Sequence, residues 1–194
     1  MSESSPQVII IAGPNGAGKT TLAPVLLRDQ WNVLEYVNAD PIAFGLSGFD
    51  PNSMAFEAGR VMLKRLHDLA MQRRTFAFES TLSAKSYVAW ISKLRREGFD
   101  FQLVFLWLKS AGLAVQRVRE RVRVGGHHVP EEIIRRRYQG GLRNFWRLYQ
   151  PLANRWAVYD NSGSTNPIMI AEGIGTETKI VVPESWRQFR EMSQ

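Results

Sequence analysis

The 194 residues include 25 Lys and Arg against 18 Asp and Glu, a net charge of +7, with 44% hydrophobic residues and no Cys. This excludes disulfide scaffolds and thiolate metal sites and fits an ordinary globular chain of one domain's length. His67, His127 and His128 lack zinc-site spacing, and no apolar run approaches the roughly 18 residues of a membrane span. The opening MSESSPQVIIIAG lacks the basic stretch of a signal peptide. The expected compartment is therefore the cytoplasm, and the basic balance favours anionic partners.

Residues 7–12 are a β-branched run without polar alternation, the pattern of a strand buried on both faces. A Gly-rich turn and a helical pattern to about Arg28 follow, then a short strand over 33–38. A long helix is predicted from Pro51, with Ala55, Val61, Met62, Leu66 and Leu69 at helical spacing. Residues 75–78 read as a third strand, 84–97 as a helix closed by Gly98, and 101–108 as a strongly apolar fourth strand. Residues 111–124 form a helix with Val115, Val118 and Val122 on one face. After the loop 125–129, Pro130 opens another helix, with Glu131 and Glu132 in its first turn. A fifth strand is expected over 156–159, peripheral strands over 168–171 and 179–182, and a terminal helix over 183–192. The alternation predicts one α/β domain over 1–194: a doubly wound parallel sheet of about five strands with helices on both faces. The scattered tryptophans read as packing residues.

Gly13-Pro14-Asn15-Gly16-Ala17-Gly18-Lys19-Thr20 matches G-x-x-x-x-G-K-[ST], the P-loop pattern. The glycines let the backbone turn so that successive N–H groups meet phosphate oxygens, and the following helix adds its positive end. Lys19 is expected to bridge the β- and γ-phosphates of ATP, the Thr20 hydroxyl to ligate Mg²⁺, and Thr21 to complete the nucleotide site. The rival dinucleotide pattern G-x-G-x-x-G would need glycine where Thr21 stands.

Ligands of open α/β sheets bind beyond the carboxyl ends of the strands, and two acids fall there. Asp40 is a candidate base or holder of the attacking hydroxyl; the alternative is a cap or turn aspartate before Pro41. Glu79 is a candidate Mg²⁺-organising acid, followed by Thr81; the alternative is a helix cap. Arg117, Arg119, Arg121, Arg123, Arg135, Arg136, Arg137, Arg143 and Arg147 crowd one stretch. Arg117 and Arg121 share one helix face and precede the Gly125-Gly126-His127-His128 loop. That is the design of an arginine lid over about 111–150 closing on a transferring phosphoryl group, as against a merely solvated face. Arg143-Asn144-Phe145-Trp146-Arg147 reads as an amphipathic helix or, alternatively, a base-stacking platform.

GPNGAGKTT at 13–21, VNAD at 37–40, FESTLS at 78–83, RVRERVRVGGHHVPEEIIRRRY at 117–138 and VYDNS at 158–162, in that order, resemble the zeta toxin family of P-loop kinases. The resemblance implies Asp40 as catalytic base and Glu79 and Thr81 on the acceptor and metal side. It implies Arg117 and Arg121 on phosphates, and Tyr159, Asp160 and Asn161 near the adenine. Arg60 and Arg137 are further candidates for acceptor charge. Members of the family phosphorylate UDP-N-acetylglucosamine and are restrained by a short antitoxin protein. Where that branch carries arginine two residues after the threonine of its E-G-T motif, this chain has Ser83. The expected activity is transfer of the γ-phosphoryl group of Mg-ATP to a hydroxyl of a small anionic acceptor. A nucleic-acid end kinase and a nucleotide-dependent switch are the rival readings.

Overall fold

Five apolar residues in a row, Val8–Ala12, cannot face water on either side of a strand, and in the computed structural model every one of them is fully buried. The structure describes residues 5–163, 166–175 and 177–193. The strands are β1 (Gln7–Ala12), β2 (Tyr36–Val37), β3 (Phe76–Ser80), β4 (Asp100–Trp107), β5 (Arg155–Asp160), β6 (Ile168–Ile174) and β7 (Glu177–Ile180). The helices are α1 (Lys19–Ala23), widening to π-type turns over Pro24–Gln30, α2 (Ala39–Leu46), α3 (Ala55–Met71) and α4 (Ser86–Arg96). They are followed by α5 (Ala111–Arg123), α6 (Glu131–Asn144) and α7 (Pro183–Glu191).

The strands form one sheet in the order β2-β3-β1-β4-β5-β6-β7. The first five run parallel, as the α/β alternation requires. The two carboxyl-terminal strands join the same sheet antiparallel, so the parallel core extends into a mixed sheet of seven strands. β1 sits third, with β3 and β4 on either side, which centres its carboxyl end between theirs.

Two expectations need correction. A helix, α2, occupies 39–46, a stretch the sequence reading leaves unassigned apart from a cap or turn before Pro41. Proline is harmless in a first helical turn, where its missing N–H has no partner to lose. Asn38 caps this helix, its side chain accepting the Asp40 N–H at 3.0 Å. In α3 the buried stripe is Ala58, Met62, Leu66 and Leu69, while Ala55 and Val61 face outward.

One sheet face carries Phe105 and Trp107 of β4, Phe145 and Trp146 after α6, Trp156 of β5, and Trp186 and Phe189 of α7, in mutual ring contact. Burial of each such ring contributes roughly 1.5–3 kcal/mol. Phe145 and Trp146 are thus packing residues, and the stretch 143–147 is an amphipathic helical segment. Leu26, Gln30 and Trp31 lie over the opposite face. Among the described residues no helix is long and apolar enough to cross a membrane.

Helix α6 is pinned to the loop after β3. The Asn144 amide donates to the Leu82 carbonyl at 2.7 Å, and Tyr149 Oη to the Ala84 carbonyl at 2.7 Å. A methyl group on Gly141 would collide with the Thr81 carbonyl oxygen, whereas one on Gly140 would meet only Ser83 at 3.5 Å. Gly141→Ala should therefore lower stability by about 1–3 kcal/mol. Gly140→Ala should stay within about 1 kcal/mol of wild type, its helix propensity helping. Denaturant melts compare the two; equal, small effects would rule out the close approach of α6 to that loop.

Candidate active site

The turn from β1 into α1 makes an anion cradle. Gly13, Gly16 and Gly18 have φ of 139°, 78° and 84°, a region that suits glycine. The loop's internal bonds are few: Gly13 N–H to the Ser80 carbonyl, Ala17 N–H to the Pro14 carbonyl and Thr21 N–H to the Gly18 carbonyl. The N–H groups of Asn15, Gly16, Gly18, Lys19 and Thr20 donate to no described residue. These donors are half-buried to exposed except at Lys19, open to a ligand, and successive loop N–H groups of this kind fit a phosphate chain.

Lys19 is buried, and its amine donates to the carbonyls of Gly13 at 3.0 Å and Pro14 at 3.1 Å. Burial pulls its pKa down; the carboxylates of Glu79 and Asp40 oppose that shift, and Arg121 and Arg137 reinforce it. A polyanion in the cradle would favour the charged form.

A cleft of about 610 Å³ opens above the loop. Its lining includes Asn15, Gly16, Gly18, Lys19, Thr20, Thr21, Asp40, Glu79, Arg117 and Arg121. The residues read from the P-loop pattern, the two strand-end acids and the two lid arginines therefore converge on one space. Beside it, a hollow of about 530 Å³ is lined by Gly18, Thr21, Leu22, Val25, Tyr159 and Asn161. Asn161 also braces the loop, its amide donating to the Ala17 carbonyl at 2.8 Å. Asp160 holds its own turn, accepting Ser162 N–H at 2.9 Å and pairing with Lys109 at 3.4 Å.

The remaining expected residues lie apart from the cleft lining. Arg60 is exposed on α3 and pairs with Glu57 at 3.6 Å. Thr81 bonds Ser83 at 2.9 Å beneath α6. Arg137 of α6 is half-buried; burial and Arg136 lower its pKa, and Asp40 raises it.

Sequence reasoning missed other parts of the wall. Pro41 and Phe44 of α2 line the cleft, and Phe44 stays 63% exposed, an apolar surface beside the acids. Tyr36 donates to Glu79 Oε1, and Asn38 stands behind it. Asn38 lay within the quoted VNAD segment, but its cap role was hidden with α2.

Arg117 and Arg121 of α5 each rest on a backbone carbonyl. Arg117 donates to the Gly163 carbonyl at 2.8 Å and Arg121 to the His127 carbonyl at 2.9 Å. The Nε of Arg121 is buried with no partner among the described residues. Arg119 points elsewhere and pairs with Glu131 at 2.6 Å, on an exposed surface. α5 presses on the loop itself, since a side chain at Gly16 would meet the Ala114 carbonyl at 3.0 Å and Arg117 Cβ at 3.1 Å.

A model of the AAA domain family matches residues 8–140. An uncharacterized protein of Haemophilus influenzae is 30% identical over 132 residues, 68% of this chain and 92% of that protein. Among solved structures, a chain of the AvrRxo1-ORF1:AvrRxo1-ORF2 complex superposes with a TM-score of 0.78 at 14% identity. The match covers 98% of this chain but only 64% of that one. The same complex crystallised with ATP gives 0.76 at 16% identity. The PezAT chromosomal toxin–antitoxin system of Streptococcus pneumoniae gives 0.70 at 14% identity, over 99% of this chain and 80% of that one. These structures share the fold.

The Arg121–His127 bond can be tested as a latch on the loop after α5. Arg121→Ala should speed amide hydrogen exchange across 124–128. Arg119→Ala should leave that loop unchanged and cost less than about 1 kcal/mol, as exposed pairs do. Equal exchange in the two variants would refute the latch.

Proposed function

We propose that this chain, which belongs to the AAA domain family, is a P-loop kinase that transfers the γ-phosphoryl group of ATP to a hydroxyl of a small anionic acceptor. The observation that carries the reading is the set of N–H groups at Asn15, Gly16, Gly18, Lys19 and Thr20 without described partners, gathered with Lys19 at the floor of a cleft that also holds two carboxylates and two arginines.

In this reading the loop donors and Lys19 bind the β- and γ-phosphates and hold them in line with the acceptor. The Thr20 hydroxyl and the Glu79 carboxylate are the groups to hold Mg²⁺, an ion that neutralises phosphate charge when bound. Asp40, at the first turn of α2 on the cleft's edge, takes the proton of the attacking hydroxyl. The acceptor oxygen bonds to the γ-phosphorus as the bond to the ADP oxygen breaks. Arg121 exchanges the His127 carbonyl for the phosphoryl oxygens as the lid over 111–150 closes, and Arg117 acts beside it. Tyr159 and Asn161 border the adenine side. Arg137, whose charge is coupled to that of Asp40, contributes charge toward the acceptor.

The order of motifs shared with zeta toxins supports a nucleotide sugar such as UDP-N-acetylglucosamine as acceptor. The fold shared with chains of the AvrRxo1 complex and of PezAT supports a small inhibitory protein as partner.

Labelled γ-phosphate followed into nucleotide sugars, oligonucleotides and free phosphate tests the reading. Lys19→Ala should abolish transfer without loss of fold. Asp40→Asn should lower turnover by about 100-fold or more with ATP affinity little changed. Label reaching only water, or a Lys19→Ala variant with normal turnover, would overturn it.

A further inference from the structure

Glu79 is held by a chain of hydrogen bonds whose direction is set at its far end. The Asp40 backbone N–H can only donate, and Asn38 Oδ1 accepts it at 3.0 Å. That leaves the amide nitrogen of Asn38 to face Tyr36, at 3.3 Å from its hydroxyl oxygen. An amide nitrogen also only donates, so the tyrosine oxygen accepts there. Its one proton must then go elsewhere, and it goes to Oε1 of Glu79.

We propose that Asn38 and Tyr36 are positioning residues, a one-way hydrogen-bond relay that fixes which oxygen of Glu79 is occupied and which is presented to the cleft. The proposal rests on the kinase reading of the site. Oε1 is spent on Tyr36, while Oε2 has no partner among the described residues, and Glu79 lines the cleft together with Lys19 and Asp40. Asn38 itself is 7% exposed, so its amide has little access to water as an alternative partner. Tyr36 also lines a hollow shared with Ala23, Pro24 and Leu27 of the helix after the phosphate loop.

The same amide caps α2, whose first turn carries Asp40. One side chain thus sets both acids of the cleft: Asp40 through the helix start and Glu79 through the tyrosine. Without the relay, a glutamate at the end of β3 has several staggered rotamers open to it. With it, the carboxylate is held before any ligand arrives, the condition for preorganised charge at a reacting centre.

The experiment compares Tyr36→Phe, Glu79→Gln and the double variant in phosphoryl transfer, with thermal melts as a check of folding. Tyr36→Phe keeps the ring and removes only the hydroxyl. It should lower kcat about tenfold while KM for ATP stays within twofold. The double variant should be no slower than Glu79→Gln alone, because the tyrosine acts only through that carboxylate. Crystals of nucleotide-free Tyr36→Phe should show the Glu79 carboxylate rotated from its wild-type position. Additive losses in the double variant, a Tyr36→Phe turnover within twofold of wild type, or an unmoved Glu79 would each overturn the relay. If the wild-type protein transfers phosphate to no acceptor, the kinase reading falls instead, and the crystallographic comparison still decides whether Tyr36 orients Glu79.

Discussion

The turn after β1 gathers several backbone N–H groups that donate to no described residue, along the wall of an open cleft. Such a loop keeps its shape only if its surroundings leave it no alternative. Gly13 is tied to β3 through the Ser80 carbonyl, and Ala17 to the end of β5 through Asn161. α5 leans on Gly16, and Lys19 reaches back to the carbonyls of Gly13 and Pro14. Contacts from β3, α5 and the end of β5 therefore converge on one six-residue turn. The central place of β1 in the sheet is what makes that convergence possible.

Charge in the cleft is arranged around the same turn. Lys19 has its pKa lowered by burial, and the carboxylates of Glu79 and Asp40 only partly offset it; Arg137, outside the cleft lining, is lowered by burial too. Two arginines of α5 rest on carbonyl oxygens rather than on carboxylates. A carbonyl is a weaker partner for guanidinium than a phosphate oxygen, so these contacts are ones a phosphorylated ligand can replace. The acids, by contrast, are fixed from behind by Asn38 and Tyr36.

Much of this was legible in the residues. The P-loop pattern, the alternation of strands and helices and the shared helix face of Arg117 and Arg121 each follow from local spacing, and local spacing survives folding. What escaped was decided at a distance. α2 went unassigned, with Asp40 before Pro41 left between a cap and a turn, yet proline sits comfortably in a first helical turn. Phe44 was invisible as a cleft residue for the same reason. Arg60 looked like spare charge for the cleft, but only the packing of α3 decides which way it faces, and it faces water beside Glu57. Thr81 follows Glu79 closely in sequence, but the chain turns there and delivers it beneath α6. The antiparallel course of β6 and β7 depends on what they pair with, and no short-range pattern carries that.

The aromatic cluster on the far face has an optical consequence. Trp107, Trp146, Trp156 and Trp186 all belong to it, in contact with Phe145 or Phe189 or with one another. None of the four lines the phosphate-loop cleft. Most of the chain's six tryptophans therefore emit from a region built largely beyond residue 140, where the family match ends. Intrinsic fluorescence is in effect a gauge of whether the carboxyl-terminal segments are docked on the sheet. An unfolding curve followed by tryptophan emission and one followed by a fluorescent nucleotide would interrogate opposite sides of the same molecule.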